Sequence, residues 1–170
     1  MFTRLFLTVG LTFCSVLAVA GSPTYMKVPG IKGDSQSEEF AGHIELINWF
    51  FGLASQNGIC NKSDITVTKF VDGASGEFIM AAATGKFFKE VDIKVGLMNG
   101  PPQPGTSSVV FRVTLFDAEI SSYNVSFDEG KDRPLESVSL RYSRLEGRSR
   151  QVKSDGSFSR WDKFTIQDCR

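Results

Sequence analysis

The sequence has few of the residues from which metal centres and nucleophilic active sites are built. The chain of 170 residues contains one histidine, His43, and three cysteines. A structural zinc site takes about four Cys or His ligands, which His43 and the two cysteines outside the N-terminal segment cannot supply. Neither a G-x-S-x-G nucleophile elbow nor a glycine-rich phosphate loop occurs. We therefore expect no cofactor, and we interpret His43 as a surface residue at the start of a strand.

An excess of charge of one sign is also missing. The 19 Lys and Arg residues balance the 19 Asp and Glu residues. No basic patch indicates a nucleic-acid partner, and no acidic tail indicates disorder. The paired acids Glu38-Glu39 and Asp128-Glu129 are adjacent in loops, which is typical of solvated surface. Catalytic carboxylates have to converge on a cleft, so an enzyme would need an acid placed beside His43.

The longest apolar run is confined to the N-terminus. Arg4 is the only charge ahead of "LFLTVGLTFCSVLAVA", which ends in the small residues Ala18-Val19-Ala20. This pattern is typical of a secretory signal peptide, here residues 1–20, cleaved near Ala20. The alternative is an uncleaved anchor, for which the run is short, since a spanning helix needs about 20 residues. We expect a secreted or periplasmic protein without stable membrane insertion, in which residues 21–170 form one domain.

Two cysteines remain in that domain, Cys60 and Cys169. In an exported protein an even pair favours one disulfide. A bond within the chain is the preferred reading. A bond between neighbouring chains and a pair of free thiols are the alternatives.

The rest of the domain is predicted to be mostly strand. A single short helix is predicted over 75–85, with Ser75 as its cap and Gly85 as its end. About seven or eight strands with turn signals every ten to twenty residues predict an all-β fold, a barrel or a sandwich. The predicted strand segments are 24–30, 43–54, 64–73, 86–98, 107–127, 135–152 and 158–170, with 55–63 as a short loop.

Two segments suggest surfaces for interaction. In the strand 43–54 the residues Trp49, Phe50 and Phe51 are consecutive, and continuous apolarity indicates a strand that is covered on both faces. These three residues are a candidate subunit interface, unless another part of the same chain covers them. The segment 143–153 carries four basic residues, which line either a charged surface or a solvated sheet face: Arg144, Arg148, Arg150 and Lys153.

The order of these segments resembles one known family. The opening stretch "YMKVPGIKGDSQSEEFAGHIELINWFFG" is similar to the start of Hcp proteins, the tube proteins of the bacterial type VI secretion system. It matches at Ile31, Gly33, Ser35, Ile44, Leu46, Trp49 and Gly52. Later segments match in the same order at Val67, Lys69, Asp72, Ser75, Met80, Ala81, Gly85, Lys86, Phe87, Ile120, Ser121, Ser122, Glu136, Val138, Leu140, Tyr142 and Trp161. No single motif is specific, and the resemblance rests on their common order over residues 24–168.

The resemblance implies a small β-barrel with one helix, an Hcp-like barrel. Members of that family form six-membered rings that stack into a tube, carry a spike, and hold effector proteins in the lumen. The family has no catalytic residues that could be transferred to this sequence, which agrees with the lack of catalytic motifs. Two departures stand out, since family members usually lack a signal peptide, and the segment 55–63 is shorter than their ring-stacking extension. The alternative is an exported, monomeric binding module on the same barrel.

Overall fold

The computed structural model describes residues 22–100, 105–127, 132–167 and 169. The predicted signal peptide, residues 1–20, lies outside the described residues. The described elements are, in chain order, β1 (Thr24–Lys27), β2 (Ile44–Leu46), β3 (Asn48–Phe50), β4 (Leu53–Gln56), β5 (Ile59–Lys62), β6 (Ile65–Phe70), α1 (Ser75–Thr84), β7 (Phe87–Gly96), β8 (Val109–Ser126), β9 (Leu135–Arg141), β10 (Arg144–Ser149) and β11 (Asp162–Ile166).

One antiparallel sheet contains every strand except β4 and β5. Its order is β2-β1-β7-β8-β9-β6-β3, and β10 pairs with β8 and with β11. The two end strands β2 and β3 follow each other in the chain, separated by Ile47, whose amide donates to the Thr68 carbonyl of β6 at 2.8 Å. The sheet therefore curls back on itself, although no strand pairing within the described residues joins β2 to β3. The prediction of an all-β fold with one short helix is confirmed.

The long strand β8 gives the sheet its curvature. Its first half pairs with β10 and its second half with β9, so two successive strands share one side of it. Asp117, with a φ of 49°, and the register shift between Ile120 and Ser122 mark the place where β8 bends. The described strands number eleven rather than seven or eight, because the predicted strands 43–54 and 135–152 are each interrupted, and because residues 53–62 form two further strands, β4 and β5. A strand that follows a curved surface must break or bulge to keep its apolar side facing inward.

Alternating side chains of both halves of the sheet form the core. The buried apolar residues on the central strands include Ile65, Val67, Val91, Ile93, Val113, Leu115, Val138, Leu140 and Leu145. Helix α1 packs on this core through Phe78 and Ala81. In the part of the chain that the structure describes, no helix is long and apolar enough to cross a membrane.

The helix ends as predicted but does not begin as predicted. Gly85 follows its last turn in the left-handed conformation, with a φ of 61°, where glycine is favoured. The predicted cap Ser75 is instead the first helical residue, and the Ser75 hydroxyl accepts a hydrogen bond from the Asp72 amide at 2.9 Å. The prediction of Ser75 as the cap was wrong because its side chain is needed in the buried cluster described below.

The glycine loop after β1 makes a corner. Gly33 lies so close to the backbone of His43 that a Cβ atom would be 2.1 Å from the His43 carbonyl oxygen. The Gly33 amide donates to the Gly42 carbonyl at 3.0 Å, and the Gly42 amide donates to the Ser35 carbonyl at 3.0 Å. Only glycine fits this approach, so Gly33 allows the loop to fold against the start of β2.

Candidate assembly surfaces and the buried cluster behind them

The predicted interface residues lie on the edge strand β3. Among the described strands, β3 pairs with β6 alone, so its other edge has no strand partner. Phe50 is 62% exposed, whereas Trp49 and Phe51 are partly buried and pack against the core. The three residues therefore divide between the two faces of the strand, and Phe50 is the one that a partner could cover without opening the core.

A row of aromatic rings fixes the inner face of β3. The Trp49 ring stacks on Phe51 and on Phe111 of β8, with ring centroids 5.9 Å apart in both pairs. The Phe111 ring is 6.3 Å from Phe164 of β11. Phe164 in turn lies across Gly147, where a Cβ atom would be only 2.0 Å from the Phe164 ring. This packing ties β3 to β8 and β11 and holds its outer face in one orientation.

A second apolar surface lies on the helix and the start of β7. Ile79, Met80 and Phe87 are 46%, 61% and 67% exposed. The opposite side of the helix is buried through Phe78 and Ala81. Exposure of apolar side chains to water is unfavourable. A helix that is apolar on both sides therefore favours a binding partner on its exposed side.

The segment predicted as a short loop is a β-hairpin. Strands β4 and β5 form a separate two-stranded sheet. Leu53 and Ile59 on it are 48% and 50% exposed. The structure joins Cys60 of β5 to Cys169 in a disulfide with a Cα–Cα distance of 4.7 Å. The Lys62 ammonium also donates to the Cys169 carbonyl at 3.0 Å, so the hairpin is attached to the segment after β11.

An ionic cluster with a fully buried centre, Lys69 and Glu136, connects β6, α1 and β9. The Lys69 ammonium is 2.5 Å from a Glu136 carboxylate oxygen and 2.7 Å from an Asp72 carboxylate oxygen. It also donates to the Ser75 hydroxyl at 3.4 Å. The Tyr123 hydroxyl donates to the other Glu136 oxygen at 2.5 Å. Burial, and next the hydrogen bond to Glu136, raise the pKa of Tyr123.

This cluster explains the residues in one of the segments that resemble the family named above. Lys69, Asp72 and Ser75 follow one another at a spacing of three residues in the turn between β6 and α1. Their side chains converge because the turn folds back over the end of β6. Glu136 and Tyr123 belong to the strands β9 and β8, which are distant in the chain. No local pattern in the sequence indicates that they join this cluster.

His43 lies at the start of β2 and is half-buried. Its Nε2 atom is 3.1 Å from the Lys94 ammonium, which can only donate, so Nε2 is the acceptor. Burial lowers the pKa of His43, and the nearby Lys94 charge lowers it further. Burial is also the main cause that lowers the pKa of Lys94. His43 thus lies partly buried beside a charged neighbour, whereas the sequence suggested only a surface residue at the start of a strand.

The predicted solvated acids differ between the two pairs. Asp128-Glu129 lies outside the described residues. Burial alone would raise the pKa of Glu39, but hydrogen bonds from Ser107 and Ser108 lower it below its usual value. The Ser107 hydroxyl donates to Glu39 at 2.6 Å. Glu39 therefore holds the start of β8 in place.

The four basic residues of 143–153 have different environments. The guanidinium groups of Arg148 and Arg150 lie over the Trp161 ring, 5.1 and 4.5 Å from its centroid. Arg144 forms an ion pair with Glu146. Lys153 is exposed in the turn that follows. The described residues include no group of three or more His, Cys, Asp or Glu side chains placed to hold a metal ion.

Comparison with known proteins identifies the fold. The family model described as "Type VI secretion system effector, Hcp" matches residues 25–147. The protein hcp1 of Pseudomonas aeruginosa is 23% identical over 143 residues, which cover 78% of this chain and 86% of that protein.

Solved structures give the same result. A type six secretion system protein has a TM-score of 0.76 and 21% identity, covering 87% of this chain and 96% of its own. The Hcp1 structure from Salmonella typhimurium has a TM-score of 0.66 and 18% identity, covering 85% of this chain and 92% of its own. These likenesses confirm the fold that the sequence predicted.

Proposed function

Because this chain belongs to the Hcp family of tube-forming type VI secretion proteins, we propose that its folded domain assembles into six-membered rings that stack. The observation that carries this proposal is the match of the family model to residues 25–147, which include most of the folded domain. In a ring of this kind, one surface of each subunit meets a different surface of the next. Such a head-to-tail contact gives a closed ring when the rotation between neighbouring subunits closes.

Two apolar surfaces on different elements support such a contact. One is formed by the edge of β3, where Ile47 and Phe50 are 49% and 62% exposed. The other is formed by α1 and the start of β7, with the exposed residues Ile79, Met80 and Phe87. We propose the β3 edge, with Trp49 and Phe51 as its inner support, as one side of the ring contact.

The role is proposed to be structural rather than catalytic. The charged groups Lys69 and Glu136 are fully enclosed and pair with each other. Catalysis needs such groups to face a cleft that a substrate can enter. Effectors in the lumen and a spike protein are the partners that membership of the family implies for such a ring.

Export is the second part of the proposal. Residues 1–20 would direct the chain out of the cytoplasm. In the oxidising compartment outside it, a disulfide between Cys60 and Cys169 would form and persist. The close approach of the two cysteines, with 4.7 Å between their Cα atoms, supports a bond within one chain. This chain would then be an exported relative of a protein whose assembly usually takes place in the cytoplasm.

The test is the oligomeric state of residues 21–170 purified from an oxidising compartment. Light scattering and negative-stain microscopy, with and without reductant, should show rings in both conditions. Rings that disappear on reduction would place the disulfide between chains. A monomer in both conditions would contradict the ring and favour an exported monomeric binding module.

A matched pair of variants locates the contact. Phe50→Asp should dissolve the ring, because it buries a charge at the β3 edge. Phe127→Asp changes a phenylalanine of similar exposure, 65%, on a different element and should leave the ring intact. A ring that survives Phe50→Asp would show that the β3 edge is not the contact.

A further inference from the structure

Four cations lie side by side across the sheet, on the face away from the core. In the strand register Lys94 of β7 is opposite Arg112 of β8, Arg112 is opposite Arg148 of β10, and Arg148 is opposite Lys163 of β11. We refer to these four residues as the cation array. Neighbouring strands are about 4.8 Å apart, so the cation array extends roughly 14 Å.

Like charges directly opposite each other destabilise a sheet. Among the described residues, the ion pairs made by the cation array all involve Arg112. Its guanidinium donates to both carboxylate oxygens of Asp92, at 2.8 and 2.5 Å. Within the described residues, no carboxylate oxygen lies within 4.0 Å of Lys94, Arg148 or Lys163.

The cation array borders a pocket rather than a flat surface. A pocket of about 320 Å³ is lined by charged and aromatic side chains that include Lys94, Arg112, Arg148, Arg150 and Trp161. Glu39 lines it too, but its carboxylate is already held by Ser107 and Ser108. The pocket therefore has more positive than negative charge, and the guanidinium groups of Arg148 and Arg150 lie over the Trp161 ring.

Asp92 shows which anion fits this surface. Its carboxylate accepts two hydrogen bonds from Arg112 and a third from the Thr114 hydroxyl at 2.6 Å. The planar fork of a guanidinium matches a carboxylate in this way. The partly exposed guanidinium of Arg148, on the adjacent strand, offers the same fork without an acceptor among the described residues.

We propose that the cation array binds an acidic segment of a partner protein, whose Asp or Glu side chains lie between Lys94, Arg148 and Lys163. A single carboxylate would contact one or two of these cations, whereas an extended segment places side chains on one face about 6.8 Å apart. Such a segment can reach the whole cation array. The proposal does not depend on ring formation, because all four residues belong to one chain.

The test measures the binding of a fluorescein-labelled oligoglutamate peptide to residues 21–170 by fluorescence polarisation. A peptide of about ten residues extends roughly 33 Å, which is longer than the cation array. We expect saturable binding at low salt that weakens as salt is added, because exposed charges are screened. Oligolysine of the same length should not bind.

Two double variants with the same change in net charge separate the cation array from charge in general. Arg148→Glu with Lys163→Glu should weaken peptide binding about tenfold or more, since two favourable contacts become repulsive. Lys153→Glu with Arg160→Glu changes two exposed cations outside the cation array and should change the affinity less than about threefold. Lys163→Glu alone, on an exposed edge strand, keeps the test valid if the first double variant fails to fold, and should still weaken binding measurably.

Three results would overturn the proposal. The first is no saturable binding of the peptide to the unmodified protein. The second is an equal loss of affinity in both double variants, which would make the attraction a property of net charge. The third is tighter binding of sodium tripolyphosphate with displacement of the peptide, which would assign the surface to phosphate groups. Light scattering on the same samples reports the oligomeric state separately, so a missing ring would not be mistaken for a failed binding site.

Discussion

The ammonium of Lys69 lies 2.5 Å from a carboxylate oxygen of Glu136, and both side chains are fully excluded from solvent. Removing two charges from water is costly, and their attraction compensates only when further hydrogen bonds satisfy both groups. Asp72 and Tyr123 provide those bonds. The pair therefore fixes the turn before α1 to the strand β9. Its removal should lower the free energy of unfolding of the whole domain.

Loss of the cation should be severe. Lys69→Met leaves Glu136 buried without its partner, and we expect a loss of about 3–5 kcal/mol in the free energy of unfolding. Urea unfolding of residues 21–170 measures it. Arg141→Met is the matched control, because Arg141 pairs with Glu119 at the surface at 3.4 Å. That change should cost less than about 1 kcal/mol, and equal losses in the two variants would refute this reading of the cluster.

Two tyrosines should respond to the same substitution in opposite ways. Tyr123→Phe removes a hydroxyl that donates to Glu136 at 2.5 Å, and we expect a loss of about 1–3 kcal/mol in the free energy of unfolding. Tyr142→Phe removes a buried hydroxyl that has no hydrogen-bond partner among the residues that the structure describes. Because an unpaired buried hydroxyl is unfavourable, that variant should be as stable as the original protein or more stable. Thermal unfolding compares the two, and a destabilised Tyr142→Phe variant would mean that the hydroxyl has a partner.

His43 should make the domain sensitive to acid. Burial and the Lys94 charge lower the pKa of His43 below its ordinary value of 6.5. The unfolded chain then binds a proton at a higher pH than the folded one, so the stability that His43 contributes is present above about pH 6.5 and is lost as the pH falls toward the folded pKa. His43→Gln should reduce the slope of stability against pH in that window. An unchanged slope, measured by urea unfolding at several pH values, would show that His43 is not responsible.

The proposed bridge between Cys60 and Cys169 should stabilise the domain through its long loop. Their separation of 109 positions corresponds to at most about 4–5 kcal/mol in the chain-entropy model. Replacing both by alanine should lower the free energy of unfolding by up to that amount. Reductant should destabilise the unmodified protein and leave the double variant unchanged. If reductant has no effect on the unmodified protein, the bridge does not form within the chain.

The sequence predicted the fold class because strand alternation and the short helix are local patterns. It placed the end of α1 at Gly85 correctly, since a left-handed position after a helix has a distinct residue preference. It failed where residues distant in the chain meet. The sequence predicts Ser75 as a cap, but the ammonium that donates to its hydroxyl is held by Glu136, which is 67 positions away from Lys69.

The surfaces were predicted less well for the same reason. Arg148 and Arg150 were recognised as a basic segment, but the cation array also needs Lys94, Arg112 and Lys163 from other strands. Their alignment follows from strand register, which depends on the whole sheet. Trp49 and Phe50 lie on opposite faces because neighbours in a strand alternate, but which of the two faces is covered depends on the rings that distant strands bring to Trp49.

The bond between Cys60 and Cys169 also sets an order of events. The helix α1 and all the strands from β6 to β11 lie between the two cysteines. In the export that we propose, the hairpin would leave the cytoplasm well before the segment to which it becomes attached. Until that later segment arrives, Cys60 is a thiol able to react with other thiols, and the hairpin lacks its covalent attachment to the end of the chain. This attachment can therefore form only after β6 to β11 have all emerged.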